Sequence, residues 1–374
     1  MTEATIQTRI ASFDVIRGVA VMGIFSVNVM SFGMIASAYL NPTAFGGQTG
    51  ANFLVWAANL LLIDGKMRSL FSILFGASMM LVIERAEAQG RSALRTHMSR
   101  MAVLFGFGVV HYYFIWFGDI LANYAVAGTL VFLLRRRSPP TLILLGIAGL
   151  LIQSLYFGWE LLAQFKVQAA AHAPGASKEA IDAWNAMAGY YHPDAARIAK
   201  DQSRHLGPWS VLFERRLDRS DVFFEYVGLD LPATAGLMLI GMAGFKSGFL
   251  TGFWSDSRYR RFARWTVPLG IAGFAAVLAV IVRSQFDGLV IEACLFIAGN
   301  AFATILALGY AALIILFAQV WLVAPLFWAI MLLWSKPWLD RFHYGPLEWV
   351  WRSLARGKLQ PFRKRLPVGE PAAA

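Results

Sequence analysis

The sequence predicts an all-α fold, a polytopic bundle of transmembrane helices with about 8–10 membrane segments, and three observations predict it. Hydrophobic residues make up 58% of the chain and charged residues 15%, with a mean hydropathy of +0.56; soluble domains average roughly 45–50% apolar and about 25% charged. Several apolar runs reach the ~20 residues that a helix needs to cross about 30 Å of hydrocarbon, and in lipid only helices or closed barrels satisfy every backbone group. The runs are continuous rather than alternating, which excludes the barrel. Finally, Lys and Arg gather between the apolar runs, the pattern that sets membrane orientation. The net charge of +11 therefore reads as topology, and nucleic acid is not an expected partner.

The first span is expected at 13–38. Ala36-Ser37-Ala38 resembles a signal-peptide cleavage site, but the apolar stretch from Gly18 is longer than a signal core, and Asp14 stands where a signal peptide is basic. Further spans are expected at 67–84, 98–116, 119–134, 140–163, 224–245, 263–282 and 289–318, followed by an apolar segment at 320–335. The run 51–63 is short for a crossing and reads as an interfacial or re-entrant helix.

Four basic regions set the orientation: Arg85, Arg91, Arg95 and Arg100; Arg135, Arg136 and Arg137; Lys246 with Arg258, Arg260, Arg261 and Arg264; and the tail from Arg352 to Arg365. Taken as cytoplasmic, the first three put 39–66, Gly118, 164–223 and 283–288 outside. The chain then reads as a single transmembrane domain, 1–374. It carries a mostly helical extracytoplasmic insertion at 164–223, whose amphipathic helices are expected to cap the outer mouth, and a cytoplasmic tail at 336–374. A full crossing at 320–335 would put the basic tail outside, so this segment is expected to be half embedded and broken near Pro325. Trp334, Trp338, Trp349 and Trp351 read as an interfacial belt. The single cysteine, Cys294, has no partner for an intrachain disulfide and reads as a small core side chain.

Ionisable groups inside spans either serve a function or pair with one another. Asp14 and Arg17, three residues apart on one helix face, are either a surface ion pair or part of a site, and Asn28 continues their face. Arg100 and His111 are eleven residues apart, a rise of about 16 Å with roughly 20° of net rotation. Arg100 would then stand at a cytoplasmic mouth with His111 deep in the same groove. That geometry suits a long anionic co-substrate, its phosphates held by Arg100 and its reactive end delivered to an imidazole acting as general base. The alternative is a hydrogen-bonded core histidine. Asp119, with Asn123 and Tyr124 beyond it, either caps the helix that follows or orients His111. Metal-ligand spacings, phosphate-binding loops and nucleophile elbows do not occur in the sequence, so no metal is expected.

Several stretches together resemble the YeiB-like bacterial membrane proteins, a family that carries domain of unknown function 418. They are Ser12-Phe13-Asp14-Val15-Ile16-Arg17-Gly18, Leu74-Phe75-Gly76, Gly108 to His111, Gly118-Asp119-Ile120-Leu121 with Tyr124-Ala125, and Tyr344-Gly345-Pro346-Leu347-Glu348-Trp349-Val350-Trp351-Arg352. The opening motif is also similar to that of heparan-glucosaminide N-acetyltransferase-like proteins and of family-three membrane acyltransferases, and the latter carry a basic residue upstream of a catalytic His, as Arg100 precedes His111 here. One departure is the lack, between Gln319 and Tyr344, of the further span these relatives usually carry.

The resemblance implies a multi-pass protein of the bacterial cytoplasmic membrane that moves an acyl group from cytoplasmic acyl-CoA to a glycan, lipid or small-molecule acceptor. Arg17 and Arg100 would engage the phosphates, with His111 as base. Asp14 and Asp119 would orient neighbouring groups, while Glu348 and Arg352 hold the tail. Membrane lipid is the expected surrounding partner, and a homo-oligomer is compatible with the sequence. The alternatives are a small-solute transporter or flippase and a non-catalytic membrane partner protein.

Overall fold

A computed structural model of the chain describes residues 11–47, 49–319 and 358–361, and every regular element among them is helical. Helical stretches long and apolar enough to cross a membrane are Ser12–Gly33, Gly50–Ala88, Ala93–Ile115, Pro139–Ala171, Asp256–Arg283 and Gly288–Phe317. Ser220–Leu229 and Leu231–Lys246 together form a further span bent by 41°, and Leu121–Leu134 is a shorter apolar helix. The first six match the spans predicted at 13–38, 67–84, 98–116, 140–163, 263–282 and 289–318, while 224–245 falls on the bent pair and 119–134 on the shorter helix. The chain is thus an all-α, multi-pass membrane bundle.

Its centre follows from one short sequence. Helix α12 (Leu231–Lys246), LPATAGLMLIGMAGFK, is small or apolar around its whole circumference until the final lysine, and nearly every residue from Ala233 to Gly244 is buried, as expected of a helix without a polar face. Its glycines let neighbouring backbones touch. A Cβ on Gly241 would lie 1.8 Å from the Ile73 carbonyl oxygen of α4 (Lys66–Ala88), and one on Gly76 of α4 would lie 2.0 Å from the Met238 carbonyl oxygen. On another face, a Cβ on Gly146 of α7 (Pro139–Ala171) would meet the Gly236 carbonyl oxygen at 2.8 Å. Close approach through small residues is how helices gain dispersion energy in lipid, where burial against tails gives none. Around this stack pack α1 (Ala11–Gly33), α13 (Asp256–Arg283) and α15 (Gly299–Gln319) on one side. On the other lie α5 (Ala93–Val110) and α6 (Leu121–Val131).

Three boundaries differ from those predicted. Helix α1 ends at Gly33, and extended Ile35 separates it from a short α2 (Ala36–Leu40). Helix α7 continues past residue 163 to Ala171, because the alanine-rich start of the insertion is strongly helix-forming. The segment 51–63 is helical, and it is joined to the span that follows rather than set apart from it. It forms α3 (Gly50–Leu62), which runs on into α4 as one 39-residue apolar stretch through a joint at Gly65, whose φ is +73°. Fully buried Lys66 holds that joint, donating from Nζ to the Leu60 carbonyl with its ammonium 2.9 Å from the centre of the Phe274 ring.

The insertion continues through α8 (Lys178–Tyr191), α9 (Ala195–His205), α10 (Trp209–Asp218) and α11 (Ser220–Leu229). Ser177 and Asp194 cap α8 and α9 by accepting from the amides of Ala180 and Arg197. These helices pack against α2, α6, α7 and the His111–Ile115 turn at one end of the bundle.

Candidate functional site

Helix α5 is regular as far as Val110, and then His111–Ile115 wind as a π-turn closed by the Trp116 amide donating to the His111 carbonyl at 2.8 Å. Such turns occur disproportionately at functional sites because they re-aim a side chain without ending the helix. The chain then folds back tightly. A Cβ on Gly118 would lie 2.3 Å from the Trp116 ring, and one on Gly108 would lie 2.4 Å from the Ala122 nitrogen of α6. Both glycines are therefore needed for the return that brings Asp119 under His111.

The His111 Nδ1 lies 3.1 Å from Asp119 Oδ1, while Asp119 Oδ2 accepts from the Ala122 amide at 2.9 Å. The sequence left capping and orienting as alternatives for Asp119; each oxygen performs one of them. A carboxylate accepts, so Nδ1 carries the proton and Nε2 is left with its lone pair. The Asp119 side chain is 1% exposed and that of His111 30%, so the fixed half of the pair is buried and the unused nitrogen belongs to the open half. The Trp116 ring stands edge-on to the imidazole with centroids 6.4 Å apart, and its buried Nε1 has no hydrogen-bond partner among the described residues.

Insertion helices grip this turn from one side. Arg216 donates to the Tyr113 carbonyl at 3.0 Å, Trp209 to the Phe114 carbonyl at 2.9 Å, and the Tyr113 hydroxyl to Ser220 at 2.9 Å. From the other side, Asn123 donates to the Val227 carbonyl at 2.7 Å, and the buried Tyr124 hydroxyl meets Ser72 Oγ at 2.5 Å.

At the opposite end of the bundle, Arg17 lies 3.5 Å from Asp14 and donates to Ser78 Oγ of α4 at 3.0 Å. Both charged groups are partly exposed. Arg100 lies near His97 and Arg135, and unbroken α-helix separates it from His111 by about 16 Å. His97 of α5 is buried, its Nε2 bonded to the Gly128 carbonyl at 3.0 Å and its ring stacked on Phe132. Asn28 is half-buried on α1. Glu348, Arg352, the segment 320–335 with Pro325, and most of the tail lie outside the described residues. Among those described, no group of three His, Cys, Asp or Glu side chains could hold a metal ion.

Sequence reasoning missed the ion pair between Arg68 and Asp230, 3.0 Å apart. Both fall inside predicted spans, at 67–84 and 224–245, where a charge is costly unless paired. The signal was present; the two residues lie too far apart in sequence to be recognised as partners.

Helices, burial pattern and site define a multi-pass α-helical membrane protein with a buried carboxylate–imidazole pair near one end. The terminal stretch 317–358 matches the family described as "Protein of unknown function (DUF418)". Along most of its length the chain is similar to the uncharacterized protein YeiB of Escherichia coli (strain K12), 27% identical over 396 residues that cover 92% of this chain and 96% of the relative. It is also similar to the uncharacterized protein YxaH of Bacillus subtilis (strain 168), 26% identical over 96% of this chain and 97% of that protein. No solved structure matches significantly. The chain is therefore similar to YeiB and YxaH along most of its length and carries a match to the DUF418 family over 317–358.

Proposed function

We propose that this protein is a membrane acyltransferase that takes an acyl group from acyl-CoA and passes it to an acceptor hydroxyl or amine. The observation that carries the reading is His111, its Nδ1 fixed by buried Asp119 and its Nε2 left open at the end of a π-turn. His97, by contrast, is buried, with its Nε2 bonded to the Gly128 carbonyl and its ring stacked on Phe132.

With the Arg-rich end taken as cytoplasmic by the positive-inside rule, Arg17 and Arg100 stand on the side where acyl-CoA is found and His111 on the outer side. Nε2 takes the proton of the acceptor as its oxygen or nitrogen attacks the thioester carbonyl. As the carbon–sulfur bond breaks, the imidazole returns that proton to the departing thiolate. Asp119 keeps the ring in the tautomer that can do both. Acid–base help of this kind contributes about 10²–10⁴-fold, and positioning supplies the rest.

Incubating the purified protein with acetyl-CoA and following free thiol tests this. Wild type consumes the thioester and His111→Ala loses most of that activity; equal rates for the two would remove the proposal.

A transporter is the second reading, favoured by the 41° break between α11 and α12 at Asp230, since interrupted helices line many transport sites. Solute flux into proteoliposomes without thioester consumption would select it.

A further inference from the structure

Arg68 and Asp230 are only partly buried, with 34% and 23% of their side-chain surfaces accessible. The pair is therefore not sealed among packed neighbours. The guanidinium carries five donors, of which one, on Nη1, meets Asp230 Oδ2 at 3.0 Å among the described residues. The other Asp230 oxygen and the Tyr226 hydroxyl engage no described residue in a hydrogen bond, and neither is a sealed, orphaned atom. Tyr226 interacts electrostatically with Arg68, Asp230 and Asp119, which links the ion pair to the carboxylate that orients His111. Helix α6 makes the same connection through covalent structure. Asp119 precedes it, Asn123 holds Val227 beside Tyr226, and the Tyr124 hydroxyl reaches the Arg68 carbonyl at 3.5 Å.

Strong donors, a free carboxylate oxygen and a phenol, all partly accessible and close enough to interact, suit a ligand that both gives and accepts hydrogen bonds. Arg68 and Asp230 cancel in charge, so neither an anion nor a cation gains by entering. We propose that Arg68, Asp230 and Tyr226 form a binding site for a neutral polyhydroxyl group, presented from the insertion end, one hydroxyl of which is the acceptor that His111 deprotonates. The acceptor role rests on the acyl-transfer reading; the binding site does not.

Such hydroxyls are carried by a sugar or by the glycerol headgroup of a lipid. Isothermal titration of the detergent-purified full chain, without acyl-CoA, against methyl glucoside in one arm and short-chain phosphatidylglycerol in the other separates these sources. Saturable binding is expected in at least one arm. Asp230→Asn and Arg68→Gln should weaken it at least tenfold. Tyr226→Phe, which removes a hydroxyl bonded to no described residue and so leaves the fold intact, should weaken it about three- to tenfold, and His111→Ala should bind as wild type does. No saturable binding in either arm, or equal binding by wild type and Tyr226→Phe, overturns the site. Binding that follows this pattern in a protein that never cleaves a thioester would sink the acyl-transfer reading and leave the site standing.

Discussion

Two π-turns interrupt membrane helices near the insertion end of this bundle, and they are used differently. The first, His111–Ile115, leaves an imidazole with one nitrogen anchored on Asp119 and the other uncommitted. The second, Ala293–Ala298, begins directly after Glu292. That carboxylate is fully engaged, one oxygen accepting from the Tyr191 hydroxyl and the other from Gln164 Nε2, both at 2.6 Å. The same backbone irregularity thus produces an open valence in one place and a closed clamp in the other. Both Glu292 oxygens are used to bind α8 of the insertion to α7, whereas one His111 nitrogen bonds no described residue. A π-turn alone therefore does not mark a site; the hydrogen-bond inventory of the residue beside it does.

The sharpest way to break this comparison is to remove each ionisable group in turn. His111→Ala should lower acyl-CoA consumption by about 10²–10⁴-fold with a modest fall in melting temperature, because the lost ring is partly open though buried Asp119 loses the partner of one oxygen. Glu292→Ala should do the reverse, keeping most activity while lowering stability by about 1–3 kcal/mol, since two buried partners lose their acceptor. Thermal unfolding alongside the thiol assay checks both, and a Glu292 variant as inactive as the His111 variant would erase the distinction.

Asp119→Asn is the next largest expectation. Asparagine caps a helix as well as aspartate does, so the start of α6 should hold. An amide can present its NH₂ to Nδ1, however, which favours the tautomer with the proton on Nε2 and removes the base. Activity should fall by about 10–100-fold with melting temperature nearly unchanged; a large loss of stability instead would show Asp119 to be chiefly structural.

Much of this was legible in the sequence. Continuous apolar runs gave six spans up to residue 318, because length and polarity decide whether a helix can lie in lipid. The separation of Arg100 from His111 along one helix followed from helical periodicity, and Asp119 was placed at the turn where it sits. What could not be read was anything requiring knowledge of which helices touch. Arg68 and Asp230 are each an expensive charge in a predicted span, and only the close packing of α4 on α12 through Gly76 and Gly241 makes them partners. The joint between α3 and α4 was hidden for a similar reason. Lys66 beside an apolar run looks like a loop residue until Phe274, more than two hundred residues later in the chain, supplies the ring that accepts its charge.

The smallest expected effect distinguishes the two turns by pH. Burial, reinforced by the bond to Glu292 and its charge, raises the Tyr191 hydroxyl well above its ordinary value near 10. A group whose pKa is raised on folding contributes stability that is complete below the unfolded value and is lost as pH climbs toward the folded one. Wild-type melting temperature should therefore fall more steeply than that of Tyr191→Phe between about pH 9 and 11, because only the former has a phenol that the unfolded chain ionises first. The His111 turn holds no tyrosine bonded to a carboxylate, so His111→Ala should leave the alkaline slope as it is in wild type. Parallel curves for wild type and Tyr191→Phe would mean that the Tyr191–Glu292 bond adds nothing to the hold of the insertion on the bundle, and the clamp would lose its claim to differ from the open turn.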